Sequence, residues 1–324
     1  MLLAAPALVV AACDSGAREA RGPAARPAAT TTTTTTEGSV VPAAIPPDTS
    51  PATTAPPADT PVLVAAGDIA CAPGQPARPG QCQMEATARL VESLQPTVVA
   101  PLGDLQYERG EASGFAGSYD PTWGRFKAIT RPAPGNHEYA GGRAGGYFGY
   151  FGAAAAGVDG RGWYSYDLGG WHVVVLNSVC SAVGGCGEGS QQLAWLRDDL
   201  RSNTTARCVL AYWHHARHSS GLHGGDPGYE PFWEALSQGG ADVVLSGHDH
   251  HYERFAPIAG IRQFVVGTGG RNLYPVPAPL PGSEVHNTTT FGVLALTLRN
   301  DGYDWRFVPV PGSSFEDRGS GGCG

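Results

Sequence analysis

Lysine is nearly absent from this sequence: Lys127 is the one lysine among 21 basic residues. Against 29 Asp and Glu the formal net charge is −8, and no run of basic residues offsets it. That balance excludes a nucleic-acid partner held by its phosphate backbone, which needs a clustered basic face. No stretch reaches the roughly 20 apolar residues that cross a bilayer as a helix. No Cys-x-x-Cys pair occurs among the 7 cysteines, so the zinc-ribbon spacing is missing too.

What is abundant is glycine and proline, 46 and 27 of the 324 residues. Such a content implies long loops, an unstructured stretch, or both. With 42% hydrophobic residues the remainder still has the means to bury a core.

Three regions follow. Residues 1–13 read MLLAAPALVVAAC, an apolar run of leader type that predicts export. Val10-Ala11-Ala12-Cys13 is similar to a bacterial lipobox, which implies lipidation of Cys13 and a cell-surface lipoprotein; the other reading is a plain leader with an unrelated cysteine. Residues 14–60 hold seven consecutive threonines, Thr30 to Thr36, and then repeated Pro, Ala and Thr. So little there can pack that the segment cannot offset its ordering entropy, and it predicts a semi-rigid stalk. Residues 61–324 form the folded domain.

Within that domain short apolar runs read as buried strands: Pro61 to Gly67, Thr97 to Gly103, Trp163 to Leu168, Trp171 to Asn177, Cys208 to Trp213, Ala241 to Ser246, Arg262 to Gly267, Phe291 to Leu298 and Tyr303 to Val310. Helical spacing marks Met84 to Gln95, Ser190 to Arg201 and Pro231 to Gln238. The interleaving predicts a layered α/β domain with two sheets inside and helices outside. Setting Cys13 aside leaves six cysteines, an even number that suits an oxidising compartment. The simplest pairing is local, Cys71 with Cys82 and Cys180 with Cys186, which leaves Cys208 for Cys323.

Five short motifs end apolar runs or sit in glycine-rich turns: Gly67-Asp68; Gly103-Asp104 with Tyr107; Gly135-Asn136-His137-Glu138; Trp213-His214-His215; and Gly247-His248-Asp249-His250. Carboxylates, an amide carbonyl, imidazoles and a phenol make a mixed oxygen and nitrogen set suited to zinc, manganese or iron. Glycine before Asp68, Asp104, Asn136 and His248 predicts a sharp backbone turn, and donors at strand ends converge on the sheet edge where α/β folds place their sites. Alternation along an extended segment would let His248 and His250 share a face while Asp249 and His251 point away.

In this order the motifs resemble the calcineurin-like metallophosphoesterase superfamily, and within it the purple acid phosphatase branch, over about Val62 to Val310. Two positions select the branch. Many members carry a histidine two residues after the first Asp, where Ala70 stands here; the purple enzymes use a tyrosine three residues after the second, where Tyr107 stands. The resemblance implies a four-layer αββα sandwich, two mixed sheets flanked by helices. It places Asp68, Asp104, Tyr107 and His250 on metal one and Asp104, Asn136, His214 and His248 on metal two, with Asp104 bridging. It implies Fe(III) at site one with Zn(II), Mn(II) or Fe(II) at site two, and hydrolysis of small phosphate monoesters by metal-activated water. Phosphodiester hydrolysis of nucleotides or lipid head groups with the same metals is the alternative, and a non-catalytic surface binding module a remoter one.

For proton delivery to the leaving group the first candidate is His137, oriented by an acid such as Glu138. The second is His223, similar to the family's substrate-loop histidine, with His218 as its substitute. His215 falls beside the metal ligands rather than among them. Glu253 and Arg254 are expected to tie down the following loop. Trp123 and Phe126 are expected in the core, with Trp123 otherwise flooring the pocket.

Overall fold

A computed structural model describes residues 60–324 apart from 204. The expected leader, the lipidation site Cys13 and the stalk lie outside the described residues. Twelve strands make two mixed sheets among them. The first has the order β12-β11-β10-β1-β2, from β1 (Val62–Ala66), β2 (Val98–Pro101), β10 (Gly292–Arg299), β11 (Gly302–Pro309) and β12 (Asp317–Gly322). The second has the order β3-β4-β5-β6-β8-β7-β9. Its members are β3 (Tyr164–Leu168), β4 (Trp171–Val175), β5 (Cys208–Tyr212), β6 (Val243–Ser246), β7 (Tyr252–Phe255), β8 (Arg262–Val266) and β9 (Ser283–Asn287). Strands β1 and β2 run parallel, as do β4, β5, β6 and β8; the outer strands are antiparallel.

Strand alternation explains the layers. Val173, Val175, Leu210, Tyr212, Val243 and Leu245 join the core between the sheets, with Leu63 and Leu294 of the first sheet. Their neighbours Val174, Val209, Ala211 and Val244 face outward and join a second core. Leu193, Leu196 and Leu200 of the helix Gln191–Ser202 cover that face, with Phe232 and Leu236 of the helix Glu230–Gln238. Ser190 starts the former helix by accepting the Leu193 N–H, the usual serine cap. The helix Met84–Leu94 buries Ala88 and Val91 on the first sheet. Trp123 is fully buried and donates its indole N–H to the Met84 carbonyl at 3.1 Å, so it belongs to the core and not to the pocket floor. No helix of the described residues is long and apolar enough to cross a membrane.

All three expected disulfides are present: Cys71–Cys82, Cys180–Cys186 and Cys208–Cys323. The last ties β5 to the chain end just after β12.

Three strands escape the apolar-run criterion. All four side chains of β7 are buried, but two are charged. Glu253 accepts from Ser220 and Ser283, and Arg254 pairs with Asp317 at 2.8 Å. Glu253 therefore holds the loop before the last motif as well as the segment after it. Strand β9 is a polar edge. Strand β12 reads DRGSGG, yet side chains at Gly319 and Gly321 would strike the rings of Trp305 and Tyr303; glycine permits that close approach.

Candidate metal centre

Strands β1, β2, β5 and β6 each deliver a motif from their C-terminal ends. The bend is carried differently from expectation. The donors themselves adopt left-handed backbone: Asp68 at φ 61°, Asp104 at 50° and His248 at 68°. Non-glycine residues rarely do so, and such strain concentrates at functional sites. Of the motif glycines, Gly103 also has positive φ (85°). Gly135 and Gly247 serve instead as clearance, because a Cβ there would overlap the Asp104 and Asp68 carboxylates. Residues 248–251 form bends, not a strand. Left-handed His248, rather than alternation, brings His248 and His250 to one side.

Four donors meet at the first position. The Tyr107 hydroxyl lies 2.9 Å from Asp68 Oδ1, 3.1 Å from Asp104 Oδ2 and 3.0 Å from His250 Nε2. His250 Nε2 lies 3.2 Å from Asp68 Oδ1. At the second position His214 Nε2 lies 3.2 Å from Asp104 Oδ2, 3.1 Å from Asn136 Oδ1 and 3.2 Å from His248 Nδ1. Asp104 Oδ2 belongs to both groups. Ligands about 2.1 Å from one octahedral ion sit about 3 Å apart, so both clusters have the spacing of coordination shells. Asp68 and Asp104 are buried, and paired buried carboxylates call for a cation. The residues present therefore fit two ions sharing the Asp104 carboxylate.

The surroundings fix each donor. Leu102 O accepts from His214 Nδ1 at 2.8 Å, which leaves Nε2 to face the cluster, an outer contact typical of metal-binding histidines. Asp68 Oδ2 accepts the His248 N–H at 2.9 Å and Asp104 Oδ1 the His137 N–H at 2.8 Å. Burial opposes the charge of Asp104, yet His214 beside it holds its carboxyl well below the usual carboxylate range. Burial likewise opposes a charge on His214, but Asp104 outweighs it and the imidazole is pushed up to about 9. Burial, then the Asp104 and Asp68 charges, push the Tyr107 phenol well above its ordinary value.

Around this centre the histidines sort clearly. His137 donates from Nδ1 to the Glu108 carbonyl at 2.6 Å, and its Nε2 lies 3.8 Å from Asp104 Oδ2. Its orienting partner is thus a backbone carbonyl, not Glu138. Glu138 turns inward and accepts the N–H groups of Gly135, Asp104 and Leu105 at 2.7, 2.9 and 2.9 Å. It fixes the backbone that carries Asp104. The His223 ring lies 4.3 Å from that of His248, at the exposed rim. His218 packs against Trp233 at 4.8 Å and does not substitute for it. His215 pairs with Ser178 Oγ at 2.8 Å, its ring 4.3 Å from His248; burial and the neighbouring His214 push it down to about 3. A cleft of about 560 Å3 opens beside Asn136, lined by His215, Ser178, Tyr229 and the Cys180–Cys186 bridge.

Two supports were missed, one inside the last motif and one outside all five. Asp249, buried between two donors, accepts from Ser219 Oγ at 2.5 Å, His223 N at 2.9 Å and Gly224 N at 3.2 Å. It pins the loop bearing His223. The segment Arg271–Tyr274 braces the first position. Arg271 N donates to Asp68 O at 2.9 Å, and its guanidinium stands 5.2 Å over the Tyr107 ring while pairing with Glu108 at 2.6 Å. Tyr274 N donates to His250 O at 2.8 Å. Glycine-rich flanks (Gly267-Thr268-Gly269-Gly270) were the available signal.

Two sheets face to face, with oxygen and nitrogen donors gathered at one edge around a shared carboxylate, define an α/β scaffold for a pair of metal ions. Residues 62–252 match the profile of the calcineurin-like phosphoesterase family, and the chain belongs to that family. Two proteins from different strains of Mycobacterium tuberculosis, both described as uncharacterized, are 33% identical over 165 residues, 45% of this chain and 30% of theirs. The chain thus spans less than a third of the length of these relatives. Its fold is similar to that of a purple acid phosphatase from yellow lupin seeds (TM-score 0.63, 20% identity, 81% of this chain and 53% of that one). It is also similar to a dimetal phosphatase from Danio rerio (TM-score 0.59, 15% identity, 82% and 100%).

Proposed function

We propose that this chain is an exported phosphomonoesterase of purple acid phosphatase type. Asp68, Asp104, Tyr107 and His250 would hold Fe(III), and Asp104, Asn136, His214 and His248 would hold Zn(II), Mn(II) or Fe(II). The observation that carries the reading is Tyr107: its hydroxyl stands within 3.1 Å of Asp68 and Asp104 and 3.0 Å from His250, where Ala70 supplies no donor.

When bound, such ions supply an acidified water and neutralise charge that builds on the phosphoryl group. The rest is work for the chain's own side chains. Asp104 sets the spacing of the two positions through one oxygen. Glu138 keeps the Asp104 backbone still. His137, anchored at Nδ1, holds Nε2 toward the centre and can pass a proton to the departing alkoxide. His223 stands over His248 from the other side and can donate to a phosphoryl oxygen. Export is supported by the three disulfides and by the apolar run that ends at Cys13, where a lipid would attach the chain to a membrane surface. A small phosphate ester is the partner.

The test is a panel of p-nitrophenyl phosphate and bis(p-nitrophenyl) phosphate with purified, metal-analysed protein. Faster turnover of the monoester is expected; preference for the diester would transfer the assignment to a phosphodiesterase.

A further inference from the structure

An apolar strip begins at the metal centre and runs outward over the surface. Residues Pro275–Pro281 read PVPAPLP, and all but Val276 are exposed. The strip starts directly after Tyr274, whose ring lies 4.1 Å from that of the ligand His250. Its far end is tied to the opposite loop, where Leu280 N donates to Ser220 Oγ at 2.8 Å. Two residues beyond Ser220 stands Leu222, next to His223. Leu222 and Leu280, 55% and 42% exposed, are the exposed large hydrophobic side chains among the described residues. They flank one rim of one site.

Single exposed leucines need no explanation, but contiguous apolar surface marks a binding site. This surface offers a polar ligand few hydrogen-bond donors. Four prolines in seven residues remove backbone donors, and no side chain of the strip can form a hydrogen bond. The strip is continuous with the reaction centre through Tyr274 and His223, so its occupant is the part of the substrate attached to the phosphate. We infer that the substrate is an amphiphilic phosphoester whose alkyl portion lies along Pro275–Pro281 and Leu222 while its phosphate reaches the metals. This rests on the phosphoesterase reading above and names the substrate class for it.

The experiment compares ethyl, butyl and octyl phosphate, each below its micellar concentration, with the metal-loaded wild type and a Leu222→Ser, Leu280→Ser double variant. Affinities for ethylphosphonate and octylphosphonate are measured alongside by calorimetry. A fully buried methylene is worth about fourfold; on an open strip, a gain of at least about tenfold in kcat/KM from ethyl to octyl is expected, with a parallel gain in phosphonate affinity. In the double variant the gain should fall to about threefold or less. No chain-length gain in the wild type, or an equal gain in the variant, overturns the inference. A gain seen only when a long-chain phosphate is presented in phosphatidylcholine vesicles also overturns it, since the strip would then be a membrane contact. Failure to hydrolyse ethyl phosphate would sink the phosphomonoesterase reading alone, because phosphonate binding still reports on the strip.

Discussion

Tyr274 lies flat on His250, with ring planes 5° apart and centroids 4.1 Å apart, and its amide donates to the His250 carbonyl. One residue thus fixes both the ring plane and the backbone of His250, a donor proposed for the first position. Supporting contacts of this kind matter to metal affinity about as much as a weak ligand does. Tyr274→Ala should weaken the ion at the first position about tenfold and leave the second unchanged, and Tyr274→Phe should restore it. Metal content after dialysis against graded chelator reads both ions. Equal retention of both by the alanine variant would remove the bracing role.

Tyr107 gives a visible signature. Burial and two carboxylates keep its phenol protonated, so only a highly charged ion would ionise it. The iron-loaded protein should therefore be coloured by tyrosinate-to-iron charge transfer, and Tyr107→Phe should lose the colour while Asp68, Asp104 and His250 keep some metal. An iron-loaded sample without a visible band, or a band that survives Tyr107→Phe, would leave a colourless divalent pair as the better account.

Asp249 should act through His223. Its carboxylate holds Ser219, His223 and Gly224, and losing three such bonds frees the loop. Asp249→Ala is expected to lower kcat/KM about tenfold with metal content intact. Adding His223→Ala should cost little more, because residues that act as a unit are not additive. Fully additive losses would separate the two.

A separate pH dependence belongs to stability. His172 on β4 lies 3.0 Å from Asp167 and 2.8 Å from Asp199. Burial works against its charge, but these two carboxylates raise its pKa above the ordinary value. A raised folded pKa means that its contribution is complete below the unfolded value of about 6.5 and fades as pH rises through the folded value. His172→Gln should cost about 1 kcal/mol near pH 5.5 and clearly less near pH 9, by urea unfolding. The same cost at both pH values would contradict the pairing.

The side chains that cluster at the two positions were legible because Asp68, Asp104, His214 and His248 each close an apolar run and Asn136 follows a glycine, and the order of five such motifs is far more specific than any one. The central strands were legible for the same reason. Asp249 and Tyr274 were not: they touch loops distant in sequence, and no local spacing encodes such contacts. Glu138 was assigned to His137 because the two are adjacent, whereas the helical turn Asn136–Tyr139 aims its carboxylate at the Asp104 backbone. Strand β12 was illegible because its glycines answer to Trp305 and Tyr303 across the sheet, not to any pattern of their own.

The bond between Cys208 and Cys323 closes a covalent ring through 115 positions of sequence separation. His214, His248 and His250 all lie on that ring, and so do the exposed loop around Leu222 and the proline strip. A protease that nicks either loop opens the ring without shedding a fragment, and the histidines stay on one molecule. Such a clipped enzyme should run as one species on a non-reducing gel and as two after reduction, with its metals still bound before the reductant is added.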